Sequence, residues 1–186
     1  MLKDRADHGR WSTRRQVRKA RGWSGDLFFL GEALALFIST FTNKLDRKGR
    51  VSVPAPFRAA LGERLHLGVV LFRSHNHPCL EGFEWDRMDE ISQRLEHYDL
   101  FSDDQDDLAT AIFGESVHLQ FDGEGRVMLT QDLIEFSGLD DYATFVGLGR
   151  KFQIWQPKAF EERKKTARSQ VREKRLTIPA DRESGP

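Results

Sequence analysis

The chain carries the same short passage twice, and a sequence that repeats itself has two equivalent apolar faces to bury. Residues 41–53 read FTNKLDRKGRVSV and residues 117–129 read VHLQFDGEGRVML, a constant offset of 76. In that register Asp46 meets Asp122, Gly49 meets Gly125, Arg50 meets Arg126 and Val51 meets Val127. Farther on, Phe57 falls on Leu133 and Gly62 on Gly138. After a few residues of slippage, Leu80 to Phe83 matches Phe152 to Trp155. The shared D-x-x-G-R and its flanking apolar alternation mark a duplication.

Each copy reads as strand, turn, strand, helix, strand, strand. Phe41, Asn43 and Leu45 alternate with Thr42 and Lys44, the period of a strand. In D-x-x-G-R, Asp bonds its own turn and Gly supplies positive φ where the chain reverses. Pro54 and Pro56 end the second strand, Pro56 suits a first helical turn, and Gly62 or Gly138 closes the helix. Thr130 is the expected N-cap in copy two, with Asp132 near the positive helix end. The apolar runs 65–72 and 144–148, then 80–83 and 152–155, complete the strands. Trp85, Met88, Ile91, Leu95 and Tyr98 then recur at helical spacing. Ser102 to Gln105 has capping-box spacing and predicts a second helix with Leu108, Ile112 and Phe113. Pro157 opens a charged helix through about Arg175, with Glu161 and Lys165 at i,i+4. From Pro179 the tail reads as disordered. The expected class is α+β. The divisions are an extension over 1–38, units over 39–84 and 116–160, a helical connection over 85–115, and a charged helix and tail over 161–186.

Charge is balanced only in total, at 29 basic and 29 acidic residues. Residues 1–25 are basic, 81–107 strongly acidic and 161–175 basic, so each block presents its own local field. The single cysteine, Cys79, excludes an internal disulfide framework and fits a reducing compartment. It ends the segment His75-Asn76-His77-Pro78-Cys79, which lacks the four ligands zinc usually takes and reads as a polar turn. No metal or cofactor is expected. Thr13 to Lys19 looks like a twin-arginine export signal, followed by an apolar stretch over 27–38. Glu32 interrupts that stretch, no A-x-A site follows, and it is too short to span a bilayer. A basic arm, or extra residues from an upstream start codon, is the expected reading, with no membrane partner.

The tandem units, with Asp46, Gly49, Arg50 and Val51-Ser52-Val53-Pro54 in copy one and Asp122, Gly125 and Arg126 in copy two, resemble the MraZ family. Gly147 to Trp155 also looks like the family's glycine-containing turn before its last strand. The units of that family are similar to SpoVT-AbrB domains. The resemblance runs from about Ser39 to Lys165. It implies two swapped-hairpin units forming a pseudo-symmetric β-barrel with peripheral helices, and a ring-like homo-oligomer. It further implies a cytoplasmic, nucleoid-associated regulator that binds double-stranded DNA with repeated short elements. The regulated genes would be a cell-division and cell-wall cluster that includes its own promoter.

The residue chemistry can be asked the same question. Lys44, Arg47, Lys48 and Arg50 place four cations within seven positions around one turn. A two-stranded ribbon can enter a major groove, where Arg binds guanine and neighbouring Lys residues neutralise phosphates. Copy two keeps Arg126, but Asp122 and Glu124 offset it, so copy one should do more of the DNA work. For Asp46–Arg50 and Asp122–Arg126, structural pairing with each other or across copies is an equal alternative to DNA contact. Asp46, Gly49, Asp122 and Gly125 are read as turn-forming residues. No nucleotide-binding loop or nucleophile–base pair emerges, so an enzyme is not expected. The alternative is an antitoxin-like protein-interaction module of the AbrB class.

Overall fold

The computed structural model describes residues 36–99 and 102–179. The expectations for the amino-terminal arm and for the tail beyond 179 lie outside these residues. Copy one forms β1 (Thr40–Lys44), β2 (Arg50–Ser52), α1 (Ala55–Leu61), β3 (Val69–Arg73) and β4 (Cys79–Phe83). Two helices, α2 (Trp85–Leu95) and α3 (Asp103–Ala109), lead to copy two. There β5 (Val117–Leu119), β6 (Arg126–Met128), α4 (Gln131–Ser137), β7 (Tyr142–Gly147) and β8 (Phe152–Trp155) repeat the order, and α5 (Pro157–Glu173) follows.

The strands pair between copies. One antiparallel sheet has the order β1-β7-β8-β4-β3-β5, and β2 and β6 form a second, two-stranded sheet. Replacing each strand by its counterpart in the other copy reads the same order backwards, so the sheets share a pseudo-twofold axis. Val51 lies opposite Val127 in one sheet, and Glu81 lies opposite Gln153 in the other. The first strand of each copy pairs with the third strand of the other, β1 with β7 and β5 with β3.

Within copy one, β1 and β2 share only the Leu45–Val51 bridge. The expected two-stranded ribbon is therefore not what the turn terminates. Leaving β1 lets β2 pair with β6 and bury Val51 and Val127 together. Nor do the described strands close into one barrel, because β1 and β5 end the six-stranded sheet.

The main core lies where the six-stranded sheet meets β2, β6, α1 and α4. Val51, Phe57, Val127, Leu133, Phe145, Phe152 and Ile154 are all buried there. Phe57 meets Phe37 at 5.3 Å and Phe152 at 5.6 Å between ring centroids, within the range of favourable aromatic pairs. Phe37 therefore belongs to the core, two residues ahead of the boundary read at Ser39. On the sheet's opposite face, Cys79, Val146, Trp155 and Phe160 form a smaller cluster beneath α5. Desolvation in that cluster pushes the Cys79 thiol up to about 12.

Gly62 and Gly138 follow α1 and α4 with positive φ, and the Ser102 hydroxyl accepts from the Gln105 N–H at 3.2 Å. Thr130 stands at the N-cap without a side-chain bond. The run read as a strand from Leu65 begins as a 3-10 turn over Gly62–Leu67, and β3 starts only at Val69. On α2 just Leu95 is buried and Trp85 is exposed, and Tyr98 lies exposed beyond the helix end. The α5 ion pairs are Glu161–Lys164 and Glu162–Lys165, one residue closer than expected.

Gly49, like Gly68, lets the other copy's backbone approach closely. Gly49 has φ +81°, and a Cβ there would sit 2.6 Å from the Leu129 carbonyl oxygen of the other copy. Gly123, the counterpart of Arg47 in the second turn, has open space where a Cβ would stand. Gly49→Ala should therefore destabilise the fold by about 1–3 kcal/mol in urea unfolding. Gly123→Ala should stay within about 0.5 kcal/mol of the parent.

Candidate nucleic-acid interface

Both D-x-x-G-R turns are built by the same hydrogen bonds. The Asp46 N–H donates to the Arg50 carbonyl at 3.0 Å, and the Gly49 N–H donates to the Asp46 carbonyl at 2.9 Å. Asp46 Oδ1 accepts the N–H groups of Lys48 and Arg50, each at 2.9 Å. Its other oxygen holds the Arg50 guanidinium at 2.7 Å. Copy two repeats the set: Asp122 Oδ1 accepts from Glu124 and Arg126 N–H, and Oδ2 accepts from Arg126 Nε at 2.7 Å. Each Asp is thus a template for its own turn, and each Arg is held against it.

The other copy supports each turn from behind. The Leu129 N–H donates to Gly49 O at 2.8 Å, and the Val53 N–H donates to Gly125 O at 3.1 Å. The Ile134 side chain approaches Gly49, while the Arg58 guanidinium lies against Gly125. Arg58 Nε also donates to the Val53 carbonyl at 3.2 Å. Arg58 and Ile134 are repeat counterparts, so one position serves as the cover in both copies. Asn43 ties β1 to β2 by donating to the Ser52 carbonyl at 2.6 Å.

The two turns therefore stand at opposite ends of the β2–β6 sheet. Their glycines are separated by four strand steps, roughly 13 Å. Because Val51 and Val127 point inward, Arg50, Ser52, Arg126 and Met128 occupy the outward face. Ser52, Met128 and the supporting Arg58 are not among the candidate DNA-binding residues that the sequence gives. Period-two alternation would have found the first two, but Arg58 shows its role only once the copies are interlocked.

Of the cations read in copy one, Lys44, Arg47 and Lys48 are exposed. Among the described residues, Arg47 and Lys48 make no side-chain hydrogen bond or ion pair, whereas Arg50 is paired with Asp46. Lys44, Arg47, Lys48 and Arg50 against Asp46 leave a formal +3 at the first turn. At the second, Arg126 is paired with Asp122 and also with Glu124, at 2.6 Å, leaving a formal −1. The geometry is shared and the electrostatics are opposed.

The Arg126 backbone N–H, followed by its guanidinium, holds the Asp122 carboxyl down at about 2. Asp46 is lowered in the same direction, with the Arg50 backbone N–H as the largest cause. A depressed carboxyl contributes stability that is fully present above its unfolded value, about 3.9, and is lost as pH falls through the folded value. The stability difference between the parent and Asp122→Asn should thus be constant above about pH 5 and shrink between about pH 4 and 2. Urea midpoints measured across that range check it. A difference that persists unchanged at pH 2 would contradict the ionic template.

Comparison with known proteins places this architecture. A family model described as "MraZ protein, putative antitoxin-like" matches residues 36–110 and again 112–177. The chain is 43% identical over 143 residues to a protein named Transcriptional regulator MraZ from Rickettsia felis (strain ATCC VR-1525 / URRWXCal2). That alignment covers 77% of this chain and 96% of the relative. A protein of the same name from Gluconobacter oxydans (strain 621H) is 43% identical over 142 residues, covering 75% and 87%. The family's relatives are named as regulators and not as enzymes. With both copies matched separately, and relatives aligned over most of their length, the chain belongs to the MraZ family.

Proposed function

We propose that this chain is a transcriptional regulator that binds double-stranded DNA through the outward face of β2 and β6, with the first turn leading. The observation that carries this reading is the pair of exposed, unpartnered cations, Arg47 and Lys48, on a turn that Asp46 holds in shape. Cations on a fixed turn lose little freedom on meeting a phosphate, and phosphate contacts set register on a duplex. Arg50 and Arg126, held by carboxylates and raised on the same face, are positioned for base edges or neighbouring phosphates. Glu124 neutralises the second turn, so the two ends of the face contribute unequally.

A ring-like homo-oligomer would present several such faces at once. Weak single contacts would then add as avidity on repeated short DNA elements. The setting proposed is the cytoplasm and nucleoid. The proposed target is a cell-division and cell-wall gene cluster that includes the regulator's own promoter.

Reversing both free cations tests the reading. Arg47→Glu/Lys48→Glu should weaken binding to a repeated target at least ~10-fold at moderate salt. It should also flatten the slope of log K against log salt by about 2 per engaged subunit. Glu124→Lys should leave binding intact or raise non-specific affinity. Fluorescence anisotropy at several salt concentrations, with melting curves for each variant, measures both effects. A folded, assembled double reversal that binds like the parent would rule out the first turn as the contact.

A further inference from the structure

The sheet face opposite the two turns holds a second site. Between α5 and the strands β4, β7 and β8 lies a cavity of about 430 Å³, within the size range of small-molecule pockets. Val146, Leu148 and Phe160 give it apolar walls. Its floor is polar, which is unusual for the middle of a sheet covered on both faces.

At that floor Glu81 is 7% exposed. Its Oε1 accepts from Ser74 Oγ at 2.9 Å and from Gln153 Nε2 at 2.8 Å. The Gln153 carbonyl in turn accepts the Trp155 indole N–H at 2.9 Å. Glu81 Oε2 takes the Lys151 ammonium at 2.9 Å. That carboxylate is therefore partnered on both oxygens, and a ligand would be met by the other lining side chains.

The cavity's charge points the same way. Lys151 already balances Glu81, Lys164 is paired with Glu161, and Lys165 with Glu162. Arg163 and Arg168 also line the cavity, and among the described residues neither has a carboxylate partner. Two guanidiniums without a carboxylate partner therefore line the cavity. Guanidinium forks suit carboxylate and phosphate groups.

We propose that this cavity binds a small organic anion, a carboxylate or phosphate. The anionic group is held by Arg163 and Arg168, and the carbon body lies against Phe160 and Leu148. The site is on the sheet's far face, so it is separate from the turns proposed to meet DNA.

The test uses the full-length 15N-labelled protein and follows the Trp155 indole N–H, whose partner Gln153 forms the floor. Sodium phosphate and sodium citrate are titrated separately, with sodium chloride at matched ionic strength as the control. The expected result is a saturable Trp155 shift with phosphate, citrate or both, and none with chloride. Whichever anion acts identifies the anionic group. In Arg163→Gln/Arg168→Gln the same titration should be at least ~10-fold weaker, with the melting temperature retained. If the double variant melts early, Arg168→Gln alone, at the more exposed of the two arginines, should still weaken the response. A shift that tracks ionic strength only, or one unchanged in a folded variant, overturns the proposal.

Discussion

Everything in this fold depends on β2 of one copy lying against β6 of the other, with Val51 opposite Val127 at the pseudo-twofold axis. Each strand is three residues long and has no other strand partner in a regular sheet. Alone, either would expose an inward valine and an unpaired backbone edge, both unfavourable in water. Together they close the core from above while β4 and β8 close it from below. The turns project from the ends of this short sheet, so their spacing is set by packing rather than by loop freedom.

That dependence explains why D-x-x-G-R recurs. The carboxylate satisfies two backbone N–H groups and its own Arg, which fixes a turn too tight for a wandering loop. At Gly49 the glycine admits the other copy's backbone, and at Gly125 the other copy's Arg58 guanidinium, at distances that a Cβ would block. Turn shape and copy docking are one constraint. Charge is left free to vary at the two middle positions, Arg47 and Lys48 in copy one and Gly123 and Glu124 in copy two. One geometry can therefore carry a positive turn and a neutralised one.

Much of this was legible from residues alone. The offset of 76 exposed the duplication, and the element order within each copy followed from period-two alternation, prolines and the glycines at 62 and 138. Strand partners were not legible, because alternation tells which face of β1 is buried but not that β7 lies beside it. The leucines at 65 and 67 suggested a strand, yet Gly62 and Gly68 bracket a 3-10 turn. Pairing of Arg50 with Asp46 was one of two open readings, and the structure shows the pair without deciding what else Arg50 meets. The far-face cavity was hidden altogether, since Glu81 and Arg163 lie far apart in sequence and meet only through the sheet and α5.

The central claim is that each copy needs the other's strands to fold. The most direct measurement is to express residues 36–101 and 102–179 as separate chains, then follow sedimentation and thermal melting alone and after mixing. Each half buries too little apolar surface by itself, so it should be unfolded or self-paired when alone. Mixing should yield a one-to-one complex with a cooperative melt. A half that sediments as a monomer and melts cooperatively without its partner would contradict the interlocked account.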